Sequence, residues 1–358
     1  MKLPDFGAGG KLSLATVSDC FIIPEYYRRA IDGNSDFSHL GNLNFGPADK
    51  AEMRHTAYKI ERGGPLAVPA PDGLYELCRR ADALMVHLCP VTAELIDACP
   101  DLKLIMVNRG GTENVDVEAA TAHGIPVLSN PAHNANGVVE LTVGLILSQS
   151  RNIALADRYM RRGVWCENYP NCGNEYELRG LKLGIIGFGS IGRRVASVMS
   201  AFGMKLFFAD PNVGEDDPDA LRLGCRKISL EELCSSCDVI TLHARADELI
   251  VGRREFGMMK KTAYFINTAR PHLIDNDALF EYLCGRRITG AALDVHPEEP
   301  PGPDYRMAKL DNVTLCNHRG GATVNCYSDS PADMLAEASK LIKGEKPRFF
   351  VNSGVFGY

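Results

Sequence analysis

Three polar residues in the second half of the chain, Arg270, Glu299 and His318, each follow a short apolar run that reads as a β-strand. Their chemistries are complementary. An arginine can hold a carboxylate through two parallel charge-assisted hydrogen bonds. A histidine exchanges a proton near neutral pH, and a neighbouring carboxylate orients the ring and favours its charged form. In open α/β sheets, ligands bind beyond the carboxyl ends of the strands, so residues at those ends can converge on one bound molecule. The set predicts a site that grips a carboxylate and moves a proton beside it.

A segment that could build such a sheet lies near mid-chain. Residues 182–192 read Lys-Leu-Gly-Ile-Ile-Gly-Phe-Gly-Ser-Ile-Gly, an apolar run followed at once by G-x-G-x-x-G. Residues 193–202 are helix-like, and a second apolar run ends at Asp210. Strand, glycine turn, helix, strand and acidic residue is the order of a dinucleotide-binding βαβ unit. Gly187 permits the turn, Gly189 lets backbone approach a pyrophosphate, and Gly192 allows close helix–strand packing. The helix N-terminus, at Ser190 and Ile191, offers N–H donors to the anion. Asp210 would accept ribose hydroxyls and repel a 2′-phosphate. Pro211-Asn212-Val213 supply no compensating cation, so NAD(H) is expected over NADP(H).

Around this unit, strands and helices alternate. Strands are expected at 12–17, 83–88, 102–107 and 126–129, with helices opening at Pro24 and over 71–81, 92–98 and 116–123. Residues 37–69 read as irregular, with one strand at most. A single long helix is expected from Asn136 to about residue 161, N-capped by Asn134 or Asn136. After Asp210, strands at 238–242, 262–267, 290–294 and 313–316 alternate with helices, and 320–343 reads as one long helix. The expectation is a Rossmann-type doubly wound domain, residues 132–319, inserted into a flavodoxin-like α/β domain made of 1–131 and 320–358.

Composition narrows the function classes. A chain of 358 residues with net charge −6 shows no basic footprint for nucleic acid or an anionic membrane. No apolar run reaches eighteen residues, and residues 1–7 lack a charged-then-apolar leader, so a cytoplasmic location is expected. The twelve cysteines form no framework. The C-x-x-C at Cys234 and Cys237 lacks a second pair or nearby histidines, so it reads as buried thiols and no metal is expected.

Five blocks in order carry a family resemblance. Residues 100–116 resemble P-x-L-K-x-I, a glycine pair and N-V-D. Residues 134–151 resemble the N-A-x-x-V-A-E helix, with Val139 for the usual alanine. Residues 259–270 match M-K…I-N-x-A-R, residues 290–300 match G-A-A-L-D-V…E-P, and residues 312–321 match N-V-x-L-x-x-H-x-x-G. Across nearly its whole length the chain resembles the D-isomer-specific 2-hydroxyacid dehydrogenases. The resemblance implies an NAD-dependent oxidoreductase acting between a 2-hydroxy and a 2-oxo acid. Arg270 would bind the substrate carboxylate and polarise the reacting oxygen, and His318 would be the general acid/base, held by Glu299. The Gly110 and Gly111 amides, beside Arg109, would grip the carboxylate from the other domain. Asp294 would contact the nicotinamide carboxamide, while His243, Ala244, Thr268 and Val138–Val139 would line the cofactor. A homodimer is also implied.

The chain departs from the family pattern in places. Asn317 and Arg319 flank His318 where the family has proline and an apolar residue. Pro271 replaces the glycine after the catalytic arginine and biases Arg270 toward extended backbone. Arg109, Arg245 and Arg319 would add positive charge around the cleft, which points to a polar or anionic substrate. The alternative reading is an NAD(H)-sensing, corepressor-like binding protein on the same fold. A damaged catalytic set or a long disordered tail would favour it, and neither is present in the sequence.

Overall fold

Short strands, most of them apolar and buried on both faces, make two parallel sheets. The computed structural model describes residues 1–7 and 10–357. The chain divides into unit 1, Met1–His133 with Val324–Tyr358, and unit 2, Asn134–Thr323.

Unit 1 holds β1 (Leu12–Ser18), β2 (Phe37–Asn44), β3 (Ala83–Val86), β4 (Leu104–Val107) and β5 (Val127–Ser129), all parallel, in the order β2-β1-β3-β4-β5. This is the flavodoxin-like order, with its topological switch point between β1 and β3. Alternate residues feed separate cores. Ala15, Val17, Leu84, Val86, Ile105 and Val107 serve one, and Leu12, Leu14, Met85, Leu104 and Met106 the other. Helices cover both faces, so the strands read as continuous apolar runs, not alternating ones. The C-terminal helix Ser330–Ile342 adds Met334, Leu335, Ala338 and Leu341 to the second core.

Three helical expectations need correction. Residues 37–69 are regular: β2 is followed by the 14-residue helix Lys50–Gly63, capped by the Asp49 carboxylate on the Ala51 and Glu52 amides. That helix buries only Met53 and Ile60, so its apolar signal is thin. The helix from Asn136 is two helices, Ala135–Ser150 and Ile153–Met160. Asn152 turns the chain between them at φ +55°, a left-handed conformation that asparagine tolerates. Its side-chain amide donates to Asn171 at 2.7 Å and Glu175 at 2.8 Å. The helix expected over 320–343 is likewise divided into Val324–Ser328 and Ser330–Ile342. Pro331 lacks an N–H, which suits the first turn of the second helix and not the interior of one.

Unit 2 holds β6 (Lys182–Ile186), β7 (Lys205–Ala209), β8 (Arg226–Lys227), β9 (Val239–Leu242), β10 (Tyr264–Asn267), β11 (Gly290–Leu293) and β12 (Val313–Leu315). They are parallel, in the order β12-β11-β10-β9-β6-β7-β8. The order reverses at β6, so the Rossmann-type switch point lies between β6 and β9. Leu183, Ile185, Val239 and Ile266 pack on one face, and Ile186, Ile240, Leu242 and Phe265 on the other. Cys234 and Cys237 belong to that second core, and burial pushes their thiols up to about 12 and about 11. Among the described residues, no helix is long and apolar enough to cross a membrane.

The C-terminal helix should be integral to unit 1. Leu335 is 1% exposed, and Leu335→Ala is expected to remove about 2–4 kcal/mol. Hydrogen exchange should then accelerate across β1–β5 and stay unchanged across β6–β12. Unaltered protection in β1–β5 would contradict this packing.

Candidate active site

The chain leaves β6 at Gly187, whose φ is +90°. A Cβ there would lie 2.6 Å from the Ala244 nitrogen and 2.7 Å from the His243 carbonyl carbon. The turn after β6 therefore runs against the turn after β9, and only glycine fits between them. At Gly192 a Cβ would overlap the Gly187 carbonyl oxygen, so the helix Ser190–Ala201 packs directly into that turn. Nothing lies within 4 Å of the equivalent position on Gly189, the residue that begins this helix without a side-chain cap. The uncapped first turn, carrying Ser190 and Ile191, thus faces open space with its N–H donors. Asp210 accepts hydrogen bonds from the amides of Phe188 and Asn212, both at 2.8 Å, which ties the acidic residue after β7 to the glycine turn.

His243 follows β9, and its Nε2 lies 2.9 Å from the Thr241 hydroxyl. Its Nδ1 is buried and has no hydrogen-bond partner among the described residues. Burial pushes the imidazole down to about 3, so it is neutral at ordinary pH. The Thr142 hydroxyl donates to the Val138 carbonyl, leaving the Thr268 hydroxyl to donate to Thr142 at 2.9 Å.

Arg270, Glu299 and His318 follow the neighbouring strands β10, β11 and β12 respectively. Asn267, fully buried at the end of β10, receives the Ala269 amide and donates to the Arg270 carbonyl, which fixes this turn. Arg270 has the extended backbone expected before proline, φ −140° and ψ 146°. Its guanidinium is exposed and bonds the Ala269 carbonyl at 2.8 Å, with no ion pair among the described residues. Arg245 and Arg319 are exposed and likewise carry no such ion pair. His318 Nδ1 lies 2.6 Å from Glu299 Oε2, while Glu299 Oε1 accepts the His296 amide at 2.9 Å. Burial raises the Glu299 carboxyl. The His318 hydrogen bond, the His296 amide and the His318 charge outweigh it and hold the carboxyl below its ordinary value.

His318 itself has φ +54°, an unusual conformation for a residue with a side chain. Asp294, 1% exposed at the end of β11, explains how it is held. Its carbonyl accepts the His318 amide, and its carboxylate accepts the Arg319 and Gly320 amides at 2.7 and 2.8 Å. Sequence reasoning marked Asp294 without seeing this role, and it missed His296.

Unit 1 carries its own polar groups at strand ends. Arg109, after β4, pairs with Glu61 at 2.6 Å and Glu113 at 3.5 Å, so its charge is compensated locally. The Gly110 and Gly111 amides donate to no described atom. A Cβ on Gly110 would meet Pro131 at 2.9 Å. At the switch point, Asp19 after β1 and His87 after β3 form a buried pair at 2.7 Å. Burial raises the Asp19 carboxyl, but the charge and hydrogen bond of His87, with the Ile22 and Phe21 amides, hold it below its ordinary value. This pair also escaped sequence reasoning, although both residues stand directly after strands. Burial, with the charges of His87 and Arg109, pushes His133 down to about 4.

Known proteins resemble the chain in sequence and in fold. Residues 143–320 match the family model described as D-isomer specific 2-hydroxyacid dehydrogenase, NAD binding domain. A glyoxylate reductase of Thermofilum pendens is 33% identical over 292 residues, which cover 80% of this chain and 86% of the relative. A D-3-phosphoglycerate dehydrogenase of Methanocaldococcus jannaschii is 37% identical over 284 residues, 78% of this chain but only 53% of that longer relative. The fold matches the NAD-complexed D-isomer specific 2-hydroxyacid dehydrogenase of Lactobacillus delbrueckii ssp. bulgaricus. The TM-score is 0.74 at 20% identity, over 95% of this chain and 100% of the other.

His243, whose Nδ1 is shut off from solvent, has a consequence for acid stability. The unfolded chain protonates His243 as pH falls through about 6.5, and the folded chain only near 3. Between those values the unfolded state holds the extra proton, so stability falls with pH by up to about 1.4 kcal/mol per pH unit. Urea denaturation of His243→Asn should show a shallower loss than the wild type over this range. Equal slopes would contradict a neutral buried ring.

Proposed function

The chain belongs to the D-isomer-specific 2-hydroxyacid dehydrogenase family, and on that premise we propose that it interconverts a small 2-oxo acid and its D-2-hydroxy acid using NAD. The observation that carries this reading is the 2.6 Å contact between His318 and Glu299, at the carboxyl edge of the sheet that carries the glycine turn. The dinucleotide fits the residues around that turn. Gly187 and Gly192 let the turn and helix pack tightly, and the bare backbone at Gly189 leaves room for a pyrophosphate beside the uncapped helix, where Ser190 and Ile191 present N–H donors. Asp210 keeps lone pairs for ribose hydroxyls beyond those it gives to Phe188 and Asn212. His243, with its unpartnered Nδ1, Ala244, Thr268 and Asp294 complete the cofactor set. Bound nicotinamide supplies the hydride in reduction and accepts it in oxidation.

The chain's own residues do the rest. Arg270, free of any ion pair among the described residues, holds the substrate carboxylate through its guanidinium and orients C2. His318 turns Nδ1 to Glu299, so Nε2 is the atom that gives a proton to the C2 oxygen in reduction and takes it back in oxidation. Glu299, ionised at neutral pH, stabilises the imidazolium that oxidation forms. A cytoplasmic location is part of the proposal, supported by thiols such as Cys78, Cys89, Cys234 and Cys237 that are buried without forming disulfides. So is a homodimer, supported by the exposed apolar Ile153, Met160 and Trp165 after the helix Ala135–Ser150.

A turnover screen with NADH over glyoxylate, hydroxypyruvate and longer sugar-derived 2-oxo acids tests the reading. At least one acid should be reduced, and NADPH should give a kcat/KM lower by about tenfold or more, because Asp210 repels a 2′-phosphate. NADH binding without turnover on any acid would favour a cofactor-sensing binding protein instead. Equal use of NADPH would overturn the role of Asp210.

A further inference from the structure

His296 is a buried titratable residue that the mechanism above does not use. It is 4% exposed and lies between the two loops that carry the acid/base pair. Its backbone N–H donates to Glu299 Oε1, which leaves Oε2 for His318. Its Nε2 lies 2.6 Å from the carbonyl oxygen of Cys316, two residues before His318. A carbonyl can only accept, so Nε2 carries the proton. The other nitrogen, Nδ1, lies 3.0 Å from the Tyr305 hydroxyl. In the neutral ring Nδ1 can only accept, so the Tyr305 O–H donates to it. Burial first, and then the Glu299 charge, push the Tyr305 hydroxyl upward, which keeps that donor protonated. The contacts close into a ring, running from His296 to Glu299, to His318, back along the chain to Cys316, and to His296 again.

We propose that His296 is a positioning residue for the Glu299–His318 pair, its Nε2–H fastening the β12 loop to the β11 loop so that the two catalytic side chains meet. The inference rests on the acid/base reading of that pair. The imidazole touches neither substrate nor cofactor in this account. An apolar ring of similar size would fill the space but leave the Cys316 carbonyl without its donor. The β12 loop would then lose its tie to Glu299, and small displacements of an acid/base group are costly.

Three variants and one spectrum test the proposal. In His296→Phe, kcat should fall by about tenfold to a hundredfold, while the KM for the 2-oxo acid and the Kd for NADH change by less than about twofold. His296→Gln can still donate to the Cys316 carbonyl and should recover part of that loss. Nitrogen-15 correlation spectra of the chain without cofactor should show His296 as the Nε2–H tautomer, whether or not the Phe variant folds. A wild-type kcat in His296→Phe, no recovery by Gln, or an Nδ1–H tautomer would each overturn the proposal. Glu299→Gln separates this failure from a deeper one. If Glu299→Gln is impaired but His296→Phe is not, positioning by His296 alone is wrong. If Glu299→Gln matches the wild type, the acid/base reading falls and takes the positioning role with it.

Discussion

Both carboxylate oxygens of Asp294 are taken by consecutive backbone amides, and its carbonyl takes the amide before them. Three N–H groups, from His318 to Gly320, are thereby drawn to one buried residue at the end of β11. That arrangement holds His318 in a left-handed conformation that is uncommon for a residue with a side chain. Without it, the loop after β12 could relax, and the imidazole would turn away from Glu299. The geometry of the His318–Glu299 pair is thus a property of the backbone first and of the side chains second.

The same logic governs the rest of unit 2. Parallel strands deliver their carboxyl ends to one edge, so residues distant in sequence become neighbours there. Gly187 lets two of those loops approach so closely that no side chain fits between them. Asn267 fixes the turn that presents Arg270, and His296 links the Glu299 and His318 loops. Each of these supporting groups is buried and hydrogen-bonded, whereas 47% of the His318 side chain and 35% of the Glu299 side chain remain exposed. Rigid buried partners under accessible reactive groups are what preorganised chemistry requires. Unit 1 repeats the device at its own switch point, where Asp19 and His87 pair across the ends of β1 and β3.

The glycine turn was legible because its chemistry demands fixed spacing, and Asp210 because it must close the second strand. Most strands of both sheets were legible as apolar runs with ends off by one or two residues, whereas β2 and β8, which are polar and part-exposed, were not. The helix Lys50–Gly63 was not, since only two of its side chains are buried and apolar periodicity is a record of burial. Its Asp49 cap with Glu52 three residues on was a usable signal. The break at Asn152 could not be read locally, because its partners Asn171 and Glu175 lie about twenty residues ahead. His296 carried no signal of its own in the sequence. Its importance lies in a carbonyl on another strand, which no local pattern encodes.

The central claim is that His318 moves the proton at the C2 oxygen. Single-turnover reduction of a 2-oxo acid by His318→Ala, with NADH bound beforehand, tests it most directly. The account predicts a loss of about a hundredfold or more in the rate of reduction, with the Kd for NADH unchanged. A rate within a few-fold of the wild type, at equal NADH occupancy, would contradict it.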